Sequence, residues 1–213
     1  MNKLIIIGAG GSGREVLEWA LNSLSVDINW DILGFLDDNL AALKGFNGQY
    51  PVLGSIDDWQ PNSNERFVVS IGDPLVRENI VNSLKSKGAI FTNIVHESVI
   101  LAKSSSLGEG VILAPFVVIS DNAKISDHVS VNISTCVGHD AEISDYCTLS
   151  SHCDITGYVK IGRRTFVGSS AVMIPSTLIG ENSYIGAGSV VMNNIKPGAK
   201  VFGNPAKNFA IKR

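Results

Sequence analysis

The sequence predicts two unlike parts in series, a small parallel α/β unit followed by a parallel β-helix. Three observations carry that expectation. An apolar run, Leu4 to Ile7, leads straight into Gly8-Ala9-Gly10-Gly11-Ser12-Gly13. The alternation of strand-like and helix-like segments then stops near residue 92. From Leu107 to Val191, every sixth residue is aliphatic or Met, and Val95 and Leu101 extend the series backwards. Composition agrees with a regular β architecture of short strands and tight corners. Of 213 residues, 45% are hydrophobic, 21 are Gly and only 17% are charged, against about 25% charged in an average domain.

The first part reads as a nucleotide-type βαβ unit. Leu4 to Ile7 is a buried strand, and the glycine run after it fits G-x-G-x-x-G at a strand-to-helix junction. Glycines there permit a tight turn, and the helix N-terminus can face a phosphate. Arg14 to Leu24 is the expected helix, with Val16, Trp19, Ala20 and Leu24 on one face. A second strand, Ile32 to Leu36, ends in Asp37-Asp38, about where a dinucleotide fold places its ribose-binding acid. A third, Phe67 to Ile71, ends in Gly72-Asp73, and a helix follows from Pro74 to Lys87. Proline suits a first helical position. Gly10, Gly11, Ser12, Gly13, Asp37, Asp38 and Gly72 thus fall at one carboxyl edge, where open parallel sheets bind ligands. An NAD-dependent dehydrogenase is disfavoured, because only half of a dinucleotide fold is present and no oxidoreductase-type catalytic domain follows.

The second part is a hexapeptide array. The residue after each aliphatic is commonly small, as at Gly108, Ser120, Gly138, Ser150, Gly168 and Gly186. The residue four after it is small or β-branched throughout, as at Val117, Thr135, Cys147, Cys153, Ala171 and Ser189. Three short strands make one triangular coil of about eighteen residues, so the fifteen hexapeptides from Leu107 make about five coils. The boundary falls near residue 92, giving domains 1–92 and 93–213.

Several function classes drop out. Seventeen basic against twenty acidic residues, a net charge of −3, give no electrostatic warrant for nucleic acid or anionic membrane. No apolar run approaches the roughly 18 residues of a membrane span. Met-Asn-Lys followed by four apolar residues is too short for a signal sequence. Cys136, Cys147 and Cys153 match no zinc spacing and read as small residues in a reducing cytoplasm. No metal is expected.

Taken together, these features resemble the bacterial sugar O-acyltransferases of the NeuD/PglD type, which include N-acetyltransferases of nucleotide-linked 4-amino sugars. The resemblance spans essentially the whole chain. It rests on Gly8 to Gly13, Phe35-Leu36-Asp37-Asp38, Ser70-Ile71-Gly72 with Arg77, and Ile94-Val95-His96. Further carriers are Asn132, Val137-Gly138-His139-Asp140, Gly157 to Gly162, and Gly203-Asn204-Pro205-Ala206-Lys207. It implies a Rossmann-like N-terminal domain, a left-handed helix hand, a homotrimer with active sites between adjacent β-helices, and acetyl-CoA as co-substrate.

Attack of an amine on a thioester calls for a base with a pKa near neutrality, usually His. Among four histidines, His139 follows a Val-Gly corner and precedes Asp140, a carboxylate able to fix its tautomer. The family's catalytic pair matches His139 and Asp140, and Asn132 matches a substrate-positioning residue. Gly157 lies one coil beyond His139, and its N–H suits an oxyanion donor. Thr148 stands where relatives place a second His touching acetyl-CoA, and Ser12 replaces a His of the glycine loop in some relatives. Ala187, Gly188, Gly203, Pro205 and Lys207 resemble the acetyl-CoA end. His96 is expected to cap at the domain junction, His128 to sit on a surface corner, and His152 to lie off the His139 face. The expected reaction is N-acetylation of a nucleotide-activated amino-dideoxy sugar. O-acetylation of sialic acid or another sugar hydroxyl is the alternative, and a non-catalytic scaffold the rival from another class.

Overall fold

A computed structural model of the chain describes residues 2–23 and 30–209. The α/β part runs β1 (Asn2–Ile7), α1 (Gly11–Leu21), β2 (Trp30–Leu36), β3 (Val52–Gly54), β4 (Glu65–Val69) and α2 (Pro74–Ser86). Its parallel sheet has the order β3-β2-β1-β4. Period-2 alternation splits β1 between two cores. Leu4 and Ile6 join a cluster continuous with the β-helix interior, while Ile5 and Ile7 join one that contains Phe67, Val81 and Leu84. The first helix begins three residues earlier than expected, at Gly11, and buries Val16, Trp19 and Ala20 as its spacing requires. Leu24 lies outside the described residues. β3 was not expected; it is three residues long and follows Pro51, too short for a period to show. Asp73 caps α2, its carboxylate accepting from the N–H groups of Leu75 and Val76, with Pro74 at the first turn.

From Ile94–Val95 onward, two-residue strands recur every six residues to Val190–Val191, and Lys200–Phe202 adds a last rung. They stack into three faces of five, six and eight strands among the described residues, parallel except at one end of the largest. The largest face ends in the antiparallel strand Lys207–Asn208. Partners are eighteen residues apart, as in Ser130 to Thr148, Cys136 to Asp154 and Glu142 to Lys160. The result is a left-handed parallel β-helix. It continues at both ends past the hexapeptides counted from Leu107, through Ile94–Val95 at one and Lys200–Phe202 at the other. The aliphatic rungs and the small residues four places later are both buried, among them Val137, Ile155 and Met173 with Thr135, Cys147 and Ala171. Buried hydroxyls and thiols give their protons to carbonyls: Thr135 to Ser150 at 2.7 Å, Cys147 to Gly162 at 3.1 Å.

Each corner turns through one left-handed residue, at every sixth position from Phe116 to Asn182. Asn, Asp, His and Ser take many of these places, as left-handed backbone favours. Tyr146, Tyr158 and Arg164 take others, so residue type alone did not disclose the position. His128 is one of them, and here the expectation fails. Its side chain is only 1% exposed. Its ring stacks on Tyr146 at 5.2 Å and meets Phe91 edge-on at 4.8 Å, because α2 and the segment after it cover that corner. Arg77, buried on α2, donates to the carbonyls of Ile71, Tyr146 and Cys147 and so ties the two parts together. Burial without a carboxylate partner brings its guanidinium down to about 10. Glu78 pairs with Arg163 and Arg164 beside it.

Candidate active site

His139 and Asp140 sit on the corner between the six-stranded and five-stranded faces, following strand Cys136–Val137. Val137 and Ala141 point inward on either side, which forces the residues between them out into solvent. Nδ1 of His139 lies 2.9 Å from Oδ2 of Asp140. A carboxylate at that distance selects the tautomer with the proton on Nδ1 and the lone pair on Nε2. The other carboxylate oxygen accepts from the Asn122 side-chain amide at 2.7 Å. The Asn122 amide, then the His139 contact, hold the Asp140 carboxyl below the usual carboxylate range. Tyr158 sets its ring edge-on to the imidazole at 5.1 Å.

Nε2 faces Gly157. A Cβ built on Gly157 would lie 2.6 Å from Nε2, so the imidazole occupies space that only glycine leaves open. The Gly157 N–H makes no hydrogen bond among the described residues. The His139 imidazole and the Gly157 N–H therefore lie on one edge, as the eighteen-residue step placed them. Asn132 is on the preceding corner, half-buried, and no hydrogen bond joins it to the His139 pair. Ala187 and Gly188 share Asn132's edge of the prism, between the eight-stranded and six-stranded faces. Gly203 folds back there, its carbonyl accepting from Val190 N–H at 3.0 Å, and the cis Asn204–Pro205 peptide follows. Lys207 is exposed on the terminal strand. One chain thus presents His139 on one edge and the distal cluster on the next.

In the α/β part, Gly10, Gly11, Ser12, Gly13, Asp37 and Asp38 line a single cavity of about 390 Å³ with Ile56, Ser70 and Ile71. Gly13 is there by necessity, since a Cβ on it would stand 1.9 Å from the Gly8 carbonyl. The Asp37 carboxylate accepts from the N–H groups of Ala9 and Asn39, and Asp38 accepts from Ile56, so both acids also shape the loops. Gly72 does not line the cavity; its carbonyl accepts from the Thr148 hydroxyl at 2.7 Å. Thr148 is buried under the α/β part and takes a further hydrogen bond from Arg77 at 2.9 Å. His96 accepts at Nδ1 from Ser98 N–H, a local cap at the start of the β-helix. His152 is exposed on the Asn132 edge, away from His139.

Asn122 and Tyr158 were missed as site residues. Both lie one coil from Asp140, and the step that led from His139 to Gly157 finds them. Burial pushes the thiols of Cys147 and Cys153 up to about 12 and about 11, which suits inert core residues. Among the described residues no group of His, Cys, Asp and Glu could hold a metal, and no helix is long and apolar enough to cross a membrane.

The PglD N-terminal domain family matches residues 3–84, and the bacterial transferase hexapeptide family matches residues 158–193. The GDP-perosamine N-acetyltransferase of Escherichia coli O157:H7 is 32% identical over 98% of this chain and 97% of its own. The chain belongs to the PglD-type hexapeptide acetyltransferases. Solved structures of this type superpose over nearly the whole length. PerB from Caulobacter crescentus, in complex with CoA and GDP-perosamine, has a TM-score of 0.87 at 28% identity, covering 99% of this chain and 98% of that one. The acetyltransferase domain of PglB from Neisseria gonorrhoeae, with acetyl coenzyme A, also scores 0.87 at 28%, covering 98% and 100%. The sequence resemblance to PglD-type enzymes is thereby established for the chain as a whole.

Proposed function

We propose that this protein transfers an acetyl group from acetyl-CoA to the 4-amino group of a nucleotide-activated 4-amino-4,6-dideoxy sugar. The observation that carries the proposal is the His139–Asp140 pair with Nε2 packed against Gly157, whose N–H is unpaired among the described residues. The whole-chain similarity to an N-acetyltransferase of GDP-perosamine supports the substrate class.

In this reading the amine nitrogen attacks the thioester carbonyl carbon directly. Nε2 of His139 takes the amine proton, Asp140 steadies the imidazolium through Nδ1, and the Gly157 N–H meets the negative oxygen of the tetrahedral intermediate. Collapse breaks the C–S bond, and the proton passes to the departing thiolate, giving an amide and free CoA. An acyl-cysteine route is disfavoured by the burial of Cys147 and Cys153. Residues 1–92 would hold the nucleotide sugar at the Gly10–Gly13, Asp37 and Asp38 cavity. Residues 93–213 would hold acetyl-CoA, with Ala187, Gly188, Gly203 and Pro205 offering backbone groups and Lys207 meeting phosphates. Thr148, its hydroxyl already taken up by Gly72 and Arg77, serves this scheme as a neighbour of the cavity loop.

His139 and the Ala187–Gly188 cluster lie on different edges of one prism. A homotrimer would join them by setting one subunit's His139 edge against the next subunit's Asn132 edge, where Asn132 could steady the substrate. Exposed Ile100, at 65%, on the face between those edges supports such packing. The three free thiols suit the cytoplasm. The test is thiol release from acetyl-CoA across UDP-, GDP- and dTDP-linked 4-amino sugars with sialic acid in the same panel. Release with a nucleotide amino sugar is expected; release with sialic acid alone would replace N-acetylation by O-acetylation.

A further inference from the structure

Three residues at one corner share the same backbone state and stand directly above one another. Asn122, Asp140 and Tyr158 are spaced by eighteen residues, with φ of 55°, 57° and 61°. Parallel stacking sets neighbouring coils about 4.8 Å apart. Side chains leaving identical left-handed positions on adjacent coils therefore run side by side and can touch.

They do touch. The Asn122 amide donates to Oδ1 of Asp140 at 2.7 Å, while Oδ2 faces Nδ1 of His139 at 2.9 Å. The Tyr158 hydroxyl acts on the same carboxyl in the same direction from the coil above, and its ring edge meets the His139 imidazole. Below, the backbone N–H of Asn122 donates to the Ser104 hydroxyl at 2.9 Å, which in turn reaches the Asp121 carboxylate. Asp140 N–H donates to the Asp121 carbonyl at 3.0 Å. None of these side chains enters the β-helix core.

An unrestrained carboxylate rotates and can offer either oxygen to an imidazole. An amide NH2 can only donate, so at Oδ1 it both pins the carboxyl plane and favours its ionised form. We propose that Asn122 and Tyr158 are positioning residues of the acetyl transfer, acting through Asp140 to hold His139 with Nδ1 protonated and Nε2 free beside Gly157. The assignment rests on the reading of His139 as the base. The depression of the Asp140 carboxyl, with the Asn122 amide as its largest cause, agrees.

Substitution Asn122→Asp keeps the shape and the tolerance for left-handed backbone while replacing the donor by a second carboxylate. The groups facing Asp140 are then His139, Tyr158, the new acid and the Asp121 segment. Like charge makes Asp140 harder to ionise. A protonated Asp140 is a weaker acceptor for Nδ1–H, so kcat should fall away at higher pH than in the wild type as pH is lowered, by about one unit. KM for both substrates should stay within about twofold, since neither residue is assigned to binding. Tyr158→Phe should shift the profile the same way and by less, with the ring contact kept. A carboxyl-carbon NMR titration of Asp140 reads the same displacement without turnover. Profiles and titrations of both variants that superpose on the wild type would overturn the assignment. A His139→Ala control separates the two claims: near-normal turnover there removes the base itself, whereas an inactive control beside unshifted Asn122 and Tyr158 variants removes only their role.

Discussion

At Gly157 a missing side chain makes room for a present one. The imidazole of His139 lies where a Cβ would come within 2.6 Å of Nε2, against the end of a side chain fixed at its other nitrogen by Asp140. Gly157→Ala should therefore push the ring aside and screen the N–H. Losing one oxyanion donor costs about 10²-fold to 10³-fold in kcat, and the displaced base adds to that. The expected outcome is a kcat drop of at least two orders of magnitude with an unchanged circular dichroism spectrum; a variant within tenfold of wild type would contradict the geometry. That His139, Asp140 and Gly157 share one edge was legible, because each occupies a definable place in an eighteen-residue period. Asp37 and Asp38 were legible as positions but not as contacts. Their hydrogen bonds to Ala9, Asn39 and Ile56 depend on loop paths that no local pattern records.

At the scale of elements, the corner under α2 shows where local reading fails. An Asp-His pair at a turn looks exposed in sequence. Here Phe91, Tyr146 and Lys85 close over His128, and Glu109 approaches to 3.8 Å. Burial, the largest cause, brings its imidazole from 6.5 down to about 4, with Lys85 and Arg77 acting in the same direction and Glu109 and Asp127 against it. Between those values the unfolded chain binds the proton and the folded chain does not. The stability that depends on neutral His128 is thus complete above pH 6.5 and lost as pH falls toward 4. Thermal unfolding at successive pH values should show a shallower acid decline for His128→Phe than for the wild type. Equal slopes would contradict the assignment. The short β3 and the start of α1 at Gly11 escaped prediction for a related reason: three residues, or three glycine-rich ones, carry no period.

Across the whole molecule, the most regular part was the most legible. A core with one aliphatic rung per strand leaves its register in the sequence, and that register placed nearly every buried residue of the β-helix. The join between the two parts left no comparable trace. Arg77 reaches Tyr146 and Cys147 from a helix seventy residues away, and Glu78 reaches Arg163 and Arg164. What relates the cavity of the α/β part to the chemistry at His139 is therefore a tertiary matter, completed in our proposal by a second subunit. The central claim remains that His139 is the base for acetyl transfer to an amine. The direct measurement is kcat for thiol release from acetyl-CoA by His139→Ala, with a nucleotide-linked 4-amino sugar as acceptor and the fold checked by thermal unfolding. Loss of the general base predicts a fall of about 10²-fold to 10⁴-fold, with an unaltered unfolding temperature; a folded variant that turns over at close to the wild-type rate would contradict it.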